Sequence, residues 1–245
     1  MEFKVDYWQI KLIYTFTQFE TLGDMINNDA AVSSYLRNVT DKVKDYNISM
    51  GREWTGVVDP EIKRTYTNEV NGAFSHYSSM MIVTVATYIE AMVSEFFVAL
   101  FLSRPAAMHN YLNPGEADSK AGRVSLKDIL RQNSLDSLKV DLAKKSAKNA
   151  SNGNFSVVIN RVKQLVKINC DQSIVKDIEL LMNTRQRVVH EAADIEVSLT
   201  EIKQHFDNAE KLLIYLGSCC QKEEVRFSDQ GFLVTEYPDF TEEPD

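Results

Sequence analysis

The stretch from residue 61 to 102 is the feature that most restricts what this chain folds into. Within it Ile82, Val85, Ile89, Met92, Val93, Phe96, Phe97 and Leu100 are packed densely. The run is long and lacks the strict alternation of a strand, so it predicts one long, largely buried helix. Glu90 and Glu95 interrupt its most apolar part, Met80 to Leu102. No window reaches 18 uncharged apolar residues, and no membrane-spanning segment is expected. A chain of 245 residues with 44% apolar content has enough material to bury a core around such a helix, as one large domain or two small ones.

Helical periodicity extends to both sides. Trp8, Leu12, Phe16, Phe19, Leu22 and Ile26 recur at three- and four-residue steps within 3–46, and Gly51, Gly56 and Pro60 punctuate the break at 47–60. Pro105, Asn113-Pro114-Gly115 and Gly122 predict a loop over 103–123, long enough to suggest a functional role. Helices are expected at about 125–132, 134–148 and 155–168, with a Ser/Asn/Gly linker at 149–154. A further helix should start with Asp171 or Ser173 as its N-cap and run to about Ala192. Ser198-Leu199-Thr200-Glu201 is a capping-box signature for a helix reaching about Cys220. Two short segments, 225–227 and 232–234, flank a Ser-Asp-Gln-Gly turn and predict a small hairpin. The expected fold is all-α: an N-terminal helical extension over 1–60 packed on the main domain, a helical domain over 61–222, and a C-terminal hairpin with an acidic tail over 223–245.

The net charge of −8 hides an asymmetry. Residues 120–190 carry 14 Lys/Arg against 6 Asp/Glu, whereas the rest of the chain carries 13 against 29. A basic face on an acidic body is the arrangement expected of a protein that meets a polyanion; exposed helix faces would give the same lysines. The N-terminus carries acidic residues and no small-residue cleavage site, so no signal peptide is expected. Three cysteines, two of them adjacent (Cys219 and Cys220), give no disulfide framework, and reduced thiols in the cytoplasm are the expectation. No P-loop, Gly-rich dinucleotide turn, nucleophile elbow or paired-cysteine zinc pattern is present, and neither cofactor nor metal is expected. His76, His109 and His205 lack acid–cysteine company at metal spacing and read as structural.

The segment Ile178-Glu179-Leu180-Leu181-Met182-Asn183-Thr184-Arg185-Gln186-Arg187-Val188-Val189-His190 carries a different signal. An apolar helical run ends in an arginine and, five residues later, a histidine. A histidine moves a proton near neutral pH, and a guanidinium clamps a phosphate as its charge builds. Together they supply what phosphodiester cleavage needs without a metal.

Arg-polar-x-aliphatic-aliphatic-His at the end of an apolar helix, followed by a short break and a last long helix, resembles the HEPN superfamily of ribonuclease and nucleotide-binding domains. Arg185 and His190 fill its two defining positions with four residues between them. Gln186 stands at the polar position, where the family usually has Asn, Asp or His. Tyr88 to Phe97 is similar to the glutamate-bearing helix of stand-alone bacterial members such as the RiboL-PSP-type branch. The resemblance covers roughly 75–220. Members controlled by partner nucleotidyltransferases tend to carry a tyrosine two residues after the histidine. That position is Ala192, so this control is not expected.

The resemblance implies a metal-independent endoribonuclease that works as a homodimer, using the RNA 2′-hydroxyl as nucleophile at a composite cleft. His190 would exchange the proton and Arg185 would stabilise the pentavalent phosphate. Gln186 and Arg187, with Asn183, would support the RNA backbone, and Glu90 would orient Arg185 through a carboxylate–guanidinium fork. On an ideal helix Arg185 and His190 point about 140° apart. They meet on one phosphate only if the helix distorts there or a second protomer completes the site. A toxin–antitoxin or antiviral effector is the expected setting, restrained or triggered by a protein encoded nearby. The rival readings are a catalytically silent module that binds RNA or a protein, and a helical scaffold in which the motif is coincidence. A surface arginine and a helix-terminal histidine steadied by the helix dipole would look the same in sequence.

Overall fold

The computed structural model describes residues 2–53, 60–112, 124, 129, 131, 134–191, 195 and 197–229. A two-residue strand β1 (Phe3–Lys4) leads into helices α1 (Val5–Ile26), α2 (Asp29–Ser49) and α3 (Pro60–Ser103). A 3₁₀ turn (Pro105–Met108) and the short α4 (His109–Leu112) follow. The order then runs α5 (Leu135–Ala150), α6 (Phe155–Val166), α7 (Gln172–His190), α8 (Leu199–Lys222) and strand β2 (Phe227–Ser228). The described chain is predominantly helical, as expected.

Helix α3 is the axis of the fold, with α1, α5, α7 and α8 packed around its C-terminal half. Its apolar residues do not keep to one stripe, because from residue 81 onward it is covered on several sides. Ile82, Ile89, Met92, Phe96, Phe97, Leu100 and Phe101 are fully buried. Each large side chain taken from water in this way stabilises the fold by roughly 1.5–3 kcal/mol. Phe96, Phe97 and Phe101 form a run of ring contacts that Phe3 joins at one end and Tyr111 at the other. One window of α3 is long and apolar enough to cross a membrane, but 61% of it is buried inside the fold, which is the burial of a core helix.

The N-terminal segment is part of this core. Phe3, Val5, Trp8, Leu12 and Phe19 belong to the same buried cluster as α3 and α8. The Trp8 Nε1–H donates to Glu95 Oε2 at 2.8 Å, and the Lys4 N–H donates to Glu95 Oε1 at 3.1 Å. One carboxylate on α3 therefore fixes the entry of the chain. By contrast, among the described residues α2 contributes only Val39 to the buried set.

Local signals account for the helix boundaries. Asp171 accepts from the Ser173 N–H at 2.8 Å and starts α7. Ser198 and Glu201 complete the expected capping box at α8, whose inner face includes Ile202, Phe206, Ala209, Leu212 and Leu216. The Tyr215 hydroxyl donates to the Ile168 carbonyl at 3.1 Å and ties α8 to the α6–α7 connection. Burial pushes the thiols of Cys170 and Cys219 up to about 12, and that of Cys220 higher still, so they stay protonated.

One expectation is corrected. Residues 105–112 are not loop: Pro105 suits the first position of a 3₁₀ turn, and Met108 and Leu112, one turn apart, are buried. The segment expected as the first arm of the hairpin, 225–227, overlaps β2, which pairs in parallel with β1, Phe227 opposite Phe3. Closing the N-terminus against the end of α8 buries Phe3 and Val225. The second arm at 232–234, the 113–123 part of the expected loop, the helix expected at about 125–132 apart from Ile129 and Arg131, Ala192 and the acidic tail lie outside the described residues.

Candidate functional site

Helix α7 offers different residues to different neighbours because its contacts follow the helical repeat. Val175, Ile178 and Leu181 are buried. Residues 179, 182, 183 and 186 fall on one stripe, and all four line a cleft of about 1010 Å³. Its other walls are α3, the C-terminal end of α5, the turn at 151–154 and the start of α6.

Arg185 also lines this cleft. It stands one turn beyond Leu181 and seven residues beyond Ile178, so the helical register carries it toward the core rather than the solvent. Its Nε is buried and has no hydrogen-bond partner among the described residues. An unpaired buried donor costs free energy.

The sequence-selected residues divide into two groups. Glu90, Asn183, Arg185 and Gln186 come together in the cleft. Arg187 and His190 do not line it: both are exposed, and Arg187 faces Glu191 at 4.0 Å across one helical turn. The fork expected between Glu90 and Arg185 is not formed among the described residues, although both line the same cavity. Helix α7 runs unbroken through His190, and the Glu191 N–H bonds to the Arg187 carbonyl. With no distortion between them, Arg185 and His190 keep their separation of about 140°. His190 instead falls one turn beyond Gln186 on the stripe of Asn183 and Gln186, about 6 Å further along the axis.

Other cleft residues were not singled out by their sequence. The Ser156 N–H at the start of α6 donates to Glu179 Oε1 at 3.0 Å. Hydrogen bonding from Ser156, by its hydroxyl first and its N–H second, holds the Glu179 carboxyl below its ordinary range. Asn154, the N-cap residue of α6, makes no side-chain cap bond. A carboxylate from α7 thus does the work of the local cap. The turn before it is pinned by Arg161, whose Nη1 donates to the Ala150 carbonyl at 2.8 Å and also to the Asn152 carbonyl. Arg161 is therefore a structural clamp rather than part of a free basic face. Gly153 adopts φ +115°, a conformation open to glycine and strained for other residues. Lys148 lines the cleft from α5. The sequence signal that would have found Glu179 is the repeat 179/182/183/186; the turn carried none beyond its Asn-Gly composition.

On another face of α7, Asp177 and Thr184 line a smaller cleft of about 230 Å³ with Glu201, His205 and Asn208 of α8. Asn208 Nδ2 donates to Asp177 Oδ2 at 3.2 Å. Burial lowers the His205 pKa, against an opposite pull from Glu201 and Asp177.

No family model, curated protein or solved structure matches the chain.

Proposed function

We propose that the protein is a metal-independent endoribonuclease of the HEPN type, active as a homodimer and serving as a toxin or phage-defence effector in the cytoplasm. The observation that carries this reading is Arg185, which lines a cleft large enough for a nucleotide and whose Nε has no hydrogen-bond partner among the described residues. A phosphate oxygen is the acceptor that such a donor fits best. Exposed His190, at the end of the same helix, is free to meet RNA. In the reaction the 2′-oxygen attacks the adjacent phosphorus as His190 takes its proton, and the P–O bond to the 5′-oxygen breaks as that oxygen is protonated. The products are a 2′,3′-cyclic phosphate and a 5′-hydroxyl. Arg185 holds the phosphate as its charge develops, and Gln186 and Arg187 steady the strand on either side. Because one straight helix directs Arg185 and His190 apart, the scissile phosphate lies between protomers, with the second copy completing the constellation.

The same separation favours a second reading, a catalytically silent module that binds RNA through the Arg185 cleft. Single-turnover cleavage of end-labelled single-stranded RNA in chelator distinguishes the two. Wild type should leave cyclic-phosphate ends. His190→Ala should lose about 10²–10⁴-fold in rate, and Arg185→Ala about 10²–10³-fold. Unchanged cleavage by His190→Ala refutes the ribonuclease assignment, and binding without cleavage by wild type supports the silent module.

A further inference from the structure

We infer that the Arg185 cleft seats one unstacked nucleotide of a single-stranded RNA, with Arg185 and Lys148 at the scissile phosphate and Asn152, Asn154 and Glu90 at its base. This rests on the ribonuclease reading and extends it to substrate selection.

The cleft wall is mixed in the way a nucleoside requires. Ala91 and Met182, both half-buried, give it an apolar side, and the amides of the 151–154 turn give it a polar rim. A base needs both, a surface for its faces and hydrogen-bonding groups for its edge. The two cations, Arg185 and Lys148, come from α7 and α5, and neither makes an ion pair among the described residues. Of the two carboxylates in the wall, Glu179 is bound to the start of α6, which leaves Glu90 able to accept from an exocyclic amine.

The turn is built to present its amides. An asparagine at an N-cap ordinarily folds back onto its own helix. Here Glu179 takes the Ser156 N–H, so Asn154 remains available to the cleft. Asn152 sits before Gly153 on a backbone that Arg161 holds by its carbonyls. Asn149 is anchored separately, its Nδ2 donating to the Tyr111 carbonyl at 2.7 Å. The amides are thus carried on a fixed platform, which is what discrimination among bases demands. A base can occupy the cleft only when it is out of a duplex stack.

The test uses the full chain and short fluorescein-labelled oligoribonucleotides of the four homopolymer sequences, read by anisotropy across a salt series. Lys148→Ala should weaken binding similarly for all four and reduce the slope of log K against log salt by about 0.7. Asn154→Ala should retain that slope, melt at the wild-type temperature, and shift the preference between the best and worst homopolymer by on the order of tenfold. Annealing a complementary strand should abolish binding to the cleft. Wild-type affinity, preference and salt slope in both variants, with wild type itself binding RNA, would overturn the seat while leaving the ribonuclease reading intact. Absence of RNA binding by wild type would remove that reading and this inference with it. Binding without cleavage would retain the seat and remove the catalysis.

Discussion

Replacing Arg185 with methionine should stabilise the protein while abolishing its action on RNA. The buried Nε has no acceptor among the described residues. A buried donor left unpaired costs about 1–3 kcal/mol. Arg185 is only partly buried, and its outer nitrogens can meet the water of the cleft, so the lower end, about 1 kcal/mol, is the relevant figure. Methionine keeps an unbranched apolar stem and removes the donor. For a chain of this size a gain of about 1 kcal/mol raises the midpoint of thermal unfolding by roughly 2–4 °C. Loss of a transition-state donor should cost about 10²–10³-fold in cleavage rate. Differential scanning calorimetry, paired with single-turnover cleavage by the same preparations, reads both effects. A variant that melts lower than wild type would show that Arg185 is structurally satisfied, and the case for a waiting phosphate site would fall.

Two further expectations concern the scaffold. Glu95→Ala leaves the Trp8 indole N–H and the Lys4 N–H without their acceptor, and should cost about 2–3 kcal/mol in urea unfolding; Glu95→Gln, which retains an amide oxygen, should cost less than half of that, and equal losses would refute the hydrogen-bond account. His205 has a folded pKa below its ordinary value, so the unfolded chain binds this proton first as pH falls through about 6.5. Stability should therefore decline on acidification from that point until the folded pKa is passed, and His205→Gln should flatten the decline. The lowered carboxyls of Glu179 and Glu201 add a second loss as pH falls below about 4. An identical stability profile for His205→Gln between pH 7 and 5 would contradict the assignment.

The sequence by itself determined the helices. Apolar spacing over 61–102 specified α3, Asp171 specified where α7 begins, and Ser198 with Glu201 specified α8, because spacing, caps and turn residues act within a few positions of themselves. It also placed Asn183, Arg185, Gln186 and His190 on one helix. Only the tertiary structure decided what that helix faces. Glu90 reaches the same cleft from α3, Arg161 closes a turn instead of offering a charge, and Glu179 caps a helix to which it does not belong. The parallel pairing of β2 with β1 joins segments more than 220 residues apart in the chain, which no local pattern encodes. The buried, unpartnered nitrogen of Arg185 is likewise a property of packing: a motif gives the residue, and only the surrounding helices remove its water.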